Sequence, residues 1–449
     1  MAGEIIFPFL LLVALIAISA RVIWLFPPAI LLMNVAYSAI TKTASTLYLE
    51  LNTTYLFETA IYSGPSGATV RQLILNGVIF AFAILVSSRL LKRPLPSDAG
   101  PRLSGAVLAP PPAHLFWAMA IAGFLLLLQF GNVLLSPQIP FLTGVGRQQF
   151  WTFNIAYPLL RDAFGVLVLF APCIASYALG ISFVRKNSVG AIVAASMLVV
   201  YFAFLILSGQ KFNGLVVGLL MSVAPFWIVV RAARVEFGFK KWAIAGAVLV
   251  ALFLLIGLIG FDDRGISQER GGLLGGLAYR VFALQGGVYY SADKLVAAGQ
   301  SQGTWAILFG DMEQTIRLLA PSALADRYIL TGVNLAGSLP GTALMVGGMP
   351  VAIMVCAANG VLMGLMAGFF ARRILLGRPF DLLLLAYIYL WVNTVYGRGS
   401  FDEILSLKFG LFTGVLIVSG IVFSRMGSLQ PKPFGKSARI GINPVPAEA

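Results

Sequence analysis

Residues 189–230 read VGAIVAASMLVVYFAFLILSGQKFNGLVVGLLMSVAPFWIVV. Their one charge, Lys211, stands in the turn Ser208-Gly209-Gln210-Lys211 between two apolar runs, 189–207 and 212–230. A membrane-spanning helix needs about 20 consecutive apolar residues. Both flanks meet that length, and the turn is too short to leave the membrane surface. The stretch therefore reads as two spanning helices joined by a tight turn. The same pattern recurs near 5–20, 23–41, 73–91, 115–135, 158–183, 242–260, 341–370, 380–396 and 405–424. The expectation is an all-α polytopic membrane protein of about eleven spans. Only Arg21 and the pair Pro27-Pro28 separate the first two runs, which read as two spans or as one long broken helix.

Composition agrees. Of 449 residues, 59% are hydrophobic and 11% charged, with a mean hydropathy of +0.91. A soluble domain carries about 25% charged residues, so an ordinary cytoplasmic enzyme, a nucleic-acid-binding domain and a disordered chain are excluded. Two cysteines, Cys173 and Cys356, and one histidine, His114, are too few for a disulfide framework, a cysteine-based metal site or any site needing two histidines. No metal or cofactor is expected. The N-terminus has no basic n-region and no clear cleavage site, and reads as a retained first helix.

The formal charge of +14 has a simple arrangement. One alternating set of connections holds Arg21, Arg89, Lys92, Arg93, Arg102, Arg185, Lys186, Arg231, Arg234, Lys240, Lys241, Arg372, Arg373, Arg378 and the tail cations Arg425, Lys432, Lys436 and Arg439. Against them stand only Asp98, Glu236, Asp381 and Glu448, so the rest of the chain is neutral. Lys and Arg gather on the cytoplasmic side of membrane proteins. That set is therefore cytoplasmic and the N-terminus lies outside. The organisation expected is helices 1–8 over 1–260, a large outward loop over 261–340, helices 9–11 over 341–424, and a basic cytoplasmic tail over 425–449. Within the loop, 304–320 has helical apolar spacing and reads as a short amphipathic helix ended by Pro321.

No ionisable residue falls at the middle of an assigned span, which weighs against an ion-coupled transporter. Gly214 and Gly218 form a GxxxG that reads as a close helix contact. The outward connections carry Arg147, Arg161, Lys211, Arg264 and Arg398, distant in sequence but gathered at one rim by a bundle. Such a mouth suits a phosphate or pyrophosphate, gripped by Arg forks and Lys charge. The same cations also read as snorkelling side chains or local pairs, such as Arg161 with Asp162 or Arg398 with Asp402. Among the outward carboxylates, Asp311 and Glu313 fall on the amphipathic helix and are candidate bases for a sugar hydroxyl, with Asp402 behind them. The outer aromatics, Trp151 and Trp305 among them, fit an interfacial belt or sugar stacking.

The order of these features resembles the Wzy-type O-antigen and related polysaccharide polymerases, closest in style to those of enterobacterial common antigen. The turn Ser208–Lys211 resembles the family's Gly-x-Arg/Lys turn. Arg147 and Arg161 resemble its basic positions ahead of that helix pair. Asp326-Arg327, Gly332-Val333-Asn334 and Gly337-Ser338-Leu339-Pro340-Gly341 resemble the end of its large periplasmic loop, and Arg398-Gly399-Ser400-Phe401-Asp402 its last periplasmic turn. The resemblance implies a fold of the C-type glycosyltransferase kind in the bacterial inner membrane, with the active face periplasmic. It implies transfer of a glycan from undecaprenyl pyrophosphate onto a fresh lipid-linked repeat unit. The partners implied are lipid-linked donor and acceptor, membrane lipids, a chain-length regulator and a flippase; nucleic acid is not among them. Arg147, Arg161, Lys211, Arg264 and Arg398 would then face the pyrophosphate, with Arg280 and Arg327 as second choices. An O-antigen ligase and a lipid-linked glycan transporter are the rival readings. The loop lacks the histidine that such ligases use.

Overall fold

The computed structural model describes residues 2–92, 112–233 and 285–418, except 57, 146–148, 166, 211, 301–304, 311, 332–337, 408, 412 and 416. Its elements are α1 (Ala2–Leu25), a 3-10 turn (Pro27–Leu32), α2 (Met33–Leu51), a hairpin of β1 (Tyr55–Leu56) and β2 (Ile61–Tyr62), α3 (Ala68–Lys92), α4 (Pro112–Leu134) and α5 (Pro140–Thr143). A π turn (Phe150–Asn154) leads to α6 (Pro158–Phe164), α7 (Phe170–Val184), α8 (Ser188–Leu207) and α9 (Phe212–Ala232). Then come α10 (Gln285–Ala297), α11 (Ala306–Phe309), α12 (Met312–Leu319), α13 (Ser322–Thr331), α14 (Leu339–Leu375), α15 (Asp381–Arg398) and α16 (Asp402–Leu405).

This is a multi-pass membrane protein whose fold, one short hairpin apart, is helical among the described residues. Among the described residues, six helices are long and apolar enough to cross a membrane: Ile6–Leu25, Ala68–Lys92, Ala113–Leu134, Leu167–Val184, Ser188–Leu207 and Leu339–Leu375. The run at 242–260 lies outside the described residues. The first two apolar runs are distinct elements. Pro27 and Pro28 stop α1, because a proline cannot supply the N–H that continues a helix. α2 then folds back along α1, so that Val22 and Ile23 line one space with Ala29 and Leu32 while Leu15 shares it with Thr43.

The run 23–41 also ends short of the helix that carries it. α2 continues to Leu51 and puts Lys42 at its midpoint, 5% exposed, with its ammonium 5.9 Å from the Tyr396 ring centre. Lys42 lies just past the assigned span 23–41, so the helix carries a buried ionisable residue that the span boundary had placed in a connection. Hydropathy stops at the first charge, whereas the helix continues because neighbouring helices cover its polar side.

The closest helix pair is α3 with α14. Gly360, Gly364 and Gly368 recur every four residues along one face of α14. A Cβ at Gly360 would lie 2.5 Å from the Ile79 carbonyl oxygen, one at Gly364 2.6 Å from that of Ala83, and one at Gly368 2.9 Å from Leu90. The two numberings rise together, so the helices run parallel. Without a hydrophobic drive between helices in lipid, small residues that admit a close backbone approach supply the packing. Sequence reading singled out Gly214 and Gly218 but passed over this longer stripe. Gly218 does sit under Tyr201 and Leu205 of α8; the Gly214 side lies outside the described residues.

α14 is not one straight helix. Gly347 and Gly348 leave helical geometry, and Gly348 takes φ +67°, a conformation glycine adopts without strain. The segment from Leu339 to Val346 is buried throughout and forms a half-helix set at an angle to the remainder.

The ends that carry many of the basic residues meet. Arg372 of α14 donates to the Leu90 carbonyl at the end of α3, Arg373 pairs with Asp381 at 3.2 Å, and the Arg231 guanidinium at the end of α9 lies 4.4 Å from the Trp24 ring centre at the end of α1.

Candidate functional site

The opposite end is built from segments far apart in sequence. Glu50, at the end of α2, accepts hydrogen bonds from the backbone N–H groups of Ser66, Ala68 and Thr69 and from the Ser66 hydroxyl. It thereby caps α3, whose first N–H groups have no helical partner and favour negative charge. Burial pushes the Glu50 carboxyl up, but these hydrogen bonds outweigh it and hold the group below its ordinary value.

One turn further along α3, Arg71 reaches Asp293 of α10 through two parallel bonds, Nε to Oδ1 and Nη2 to Oδ2, both 2.6 Å. Asp293 is buried, and Arg71 also donates to the Ser66 carbonyl. Planar two-point pairing of this kind fixes orientation as well as position. The rest of α10 is equally committed. The Gly286 N–H donates to Ser45 Oγ of α2, Ser291 Oγ lies 2.8 Å from Thr59 Oγ1, the Tyr290 hydroxyl donates to the Gly64 carbonyl, and the Lys294 ammonium donates to the Tyr62 carbonyl. A piece of the large loop is thus buried against α2, α3 and α14. Sequence reading gave no role to Glu50, Arg71 or Asp293. A signal was available: Arg71 stands alone at the mouth of an apolar run, and Asp293 follows a run of small and aromatic residues.

The turn after α15 closes the other side. Arg398 ends α15, and Gly399 reverses the chain at φ +81° with Ser338 and Thr342 packed where a side chain would stand. The Ser400 hydroxyl lies within bonding distance of the Leu308 and Gly310 carbonyls, at 3.1 and 3.0 Å, and the Phe401 N–H donates to Leu308 at 2.7 Å. Phe401, Phe309 and the half-exposed Trp305 form a ladder of rings, with centroid spacings of 5.9 and 6.5 Å. Asp402 accepts no hydrogen bond at Oδ1 among the described residues, although that atom is buried. The expected single helix over 304–320 is therefore two, α11 and α12. Gly310 breaks it because its carbonyl faces Ser400 instead of continuing the helical ladder, and Pro321 precedes α13.

The predicted site residues divide into groups. Arg398 and Asp402 share the last turn, bonded to α11 and packed on the start of α14. Glu313 is exposed on α12 and paired with Arg317, which also holds Asp326 of α13, each at 2.9 Å. Arg327 is exposed on α13. Arg161 belongs to α6, where it pairs with Asp162 at 2.7 Å and donates to the Trp151 carbonyl, the local alternative weighed for it. Arg147, Lys211, Arg264, Arg280 and Asp311 lie outside the described residues. Among the described residues, no group of three or more His, Cys, Asp or Glu side chains could hold a metal ion.

Beneath this cap lies a belt of buried polar groups. The Tyr396 hydroxyl donates to Asn76 Oδ1 at 2.9 Å, and Asn76 Nδ2 donates to Thr43 Oγ1 at 3.3 Å. One turn above Asn76, Gln72 is fully buried with neither amide atom hydrogen-bonded among the described residues. Such groups ordinarily find partners.

A model of a family of unknown function, DUF6418, matches residues 311–413, from α12 through the last outer turn and beyond. No curated protein matches the chain. No solved structure matches it.

Proposed function

We propose that this chain is a glycosyltransferase of the bacterial inner membrane. It would have eleven spans and a fold of the C-type glycosyltransferase kind, and it would polymerise undecaprenyl-pyrophosphate-linked repeat units at the periplasmic face. One observation carries the reading. Two of the segments that resemble polymerase motifs meet, the end of the large loop at 338–341 and the last turn at 398–402, with Gly399 against Ser338 and the adjoining Thr342. A pyrophosphate leaving group develops negative charge in the transition state, and fixed cations aimed at it stabilise that charge. Arg398 stands in this contact as such a cation. Arg147, Lys211 and Arg264 are assigned to the same role, with Arg280, Arg327 and the anchored Arg161 behind them. Asp402, whose buried Oδ1 has no described partner, is the carboxylate best placed beside Arg398 to orient an acceptor hydroxyl; Asp311 and Glu313 remain the alternatives on the neighbouring loop.

The test is a reconstitution with purified protein in detergent, given an undecaprenyl-pyrophosphate repeat unit from its host, with and without a divalent metal. A ladder of glycan lengths supports the reading. Arg398→Ala and Lys211→Ala are expected to abolish the ladder at unchanged protein level; long chains from both variants would overturn the assignment. The break in α14 at Gly347-Gly348 favours a second reading, transport of a lipid-linked glycan, because transporters place substrate at discontinuous helices. Flux into liposomes without chain growth would favour that reading instead.

A further inference from the structure

A cavity of about 210 Å³ lies between α1, the Pro27–Leu32 turn with α2, and α3. Among the described residues its walls are Leu, Ile, Val, Met, Ala and Phe side chains with Gly77, and the polar ones are Ser19, Thr43 and Asn76. On α3 the lining runs from Leu73 to Ile84. At a rise of 1.5 Å per residue that is about 16 Å, close to half of a hydrocarbon core about 30 Å thick. The cavity is thus one leaflet long and apolar along its length. Thr43 and Asn76 mark the end nearer the cap.

A second observation concerns Gly77, which lines the cavity in the middle of α3. Glycine inside a helix costs about 0.5–1 kcal/mol relative to alanine. On α14 the glycines are required, because a Cβ at Gly360 or Gly364 would collide with the α3 backbone. A Cβ at Gly77 would meet nothing within 4 Å among the described residues. Packing among those residues gives no reason for a glycine here. What the missing side chain leaves is room in the cavity.

We propose that this cavity holds the head-proximal isoprene units of the lipid-linked substrate, with its polar head at Thr43 and Asn76. The inference rests on the proposed function for the identity of the chain. The polarity of the cavity matches an amphiphile. Its lining is hydrocarbon, and Asn76 at its end retains a second amide hydrogen beyond the one given to Thr43. Continuity with the cap favours the substrate over bulk lipid. Arg71 stands five residues before Asn76 on α3, about 7 Å along the helix axis, and is bonded there to Asp293 of the loop. A chain seated in the cavity delivers its head to the underside of the cap.

The test uses full-length protein in nanodiscs and two photoreactive probes: undecaprenyl phosphate with a diazirine in its chain, and a phosphatidylethanolamine with a diazirine in its acyl chain. The polyprenyl probe is expected to label peptides of α1 to α3, including 73–84, and unlabelled undecaprenyl phosphate to compete it away. Gly77→Leu adds bulk on the cavity side of α3, at a position where a Cβ meets nothing within 4 Å among the described residues. It is expected to retain wild-type thermal stability and lose about ten-fold of the labelling, the loss expected when contact with some two methylenes is removed. Labelling of these peptides by the phosphatidylethanolamine probe that undecaprenyl phosphate does not displace would overturn the proposal, as would full labelling of folded Gly77→Leu. If that variant does not fold, competition on the wild-type chain decides alone. The readout is binding, so the two proposals fail separately. Competed labelling without a glycan ladder removes polymerisation and leaves the cavity's ligand. A ladder without labelling at α1 to α3 removes the cavity's role.

Discussion

The two ends of α3 are held by opposite means. From Ile79 to Leu90 it lies against the glycine stripe of α14, backbone against backbone. From Ala68 to Asn76 it is held by charge and hydrogen bonds, from Glu50 on its first N–H groups to the Arg71–Asp293 pair and the Asn76 contacts to Thr43 and Tyr396. The difference follows from the surroundings. Where lipid surrounds a helix pair, apolar side chains gain nothing by meeting each other rather than lipid, so close approach and dispersion decide. Where loop backbone must be fixed at the end of a bundle, charge-assisted hydrogen bonds give direction as well as attraction. The first end sets how the bundle packs. The second sets where the loop's side chains stand.

The glycine stripe predicts the largest effect. Gly364→Leu drives a branched side chain into the Ala83 carbonyl, which belongs to backbone and cannot swing aside. Overpacking of this kind costs about 3 kcal/mol or more, and a large loss of thermal stability in detergent is expected. Gly77→Leu, at an open position of α3, is the matched control. Equal stability of the two variants would mean that the α3–α14 contact is not what holds the bundle.

This contrast also explains what could be read from the sequence. Helices driven by length and hydropathy were legible, including the pair on either side of Ser208–Lys211 and the break at Pro27-Pro28, because each is decided by neighbours along the chain. The boundary of α2 was not. Lys42 ends the apolar run, and only burial by other helices explains why the helix continues to Leu51. The glycine stripe at 360, 364 and 368 was present in the sequence as a four-residue repeat and could have been found. Arg71 and Asp293 each carried a local signal, but their pairing did not, since 222 positions separate them and no local pattern joins them. Of the candidate site, Arg398 and Asp402 were placed in one turn by adjacency alone. The contact of that turn with α11 and the start of α14, made by Gly399, Ser400 and Phe401, is a property of the fold.

The polar end predicts an intermediate effect. Asp293→Asn leaves Arg71 facing a neutral side chain. Removing one partner of a fully buried pair costs about 3–5 kcal/mol. Arg71 keeps 32% of its side chain accessible, so solvent screens the remaining charge and about 2 kcal/mol is expected. The double variant with Arg71→Gln should be less destabilised than the sum of the two single ones, which a double-mutant cycle measures. Additive losses would show that the pair is not coupled and that α10 is held by its packing alone. Proteolysis within the loop should rise in Asp293→Asn and stay unchanged in Gly77→Leu, which separates loss of loop anchoring from general loosening.

Glu50 predicts the smallest effect and the one most sensitive to conditions. Its carboxyl is held below its ordinary value in the folded protein, so folding favours the charged form. The contribution is complete above the ordinary carboxylate range and is lost as pH falls from there through the lowered value, where both folded and unfolded chains carry the proton. At neutral pH, Glu50→Gln keeps an acceptor oxygen but loses the charge at the start of α3, a change of about 1 kcal/mol or less. The informative quantity is the difference between wild type and variant across a melting series from neutral to acid pH. That difference should shrink toward zero on acidification, because the wild-type side chain becomes neutral like its replacement. A gap that persists undiminished below the ordinary carboxylate range would mean that shape, not charge, holds the N-terminal end of α3, and the contrast between its two ends would then be one of degree.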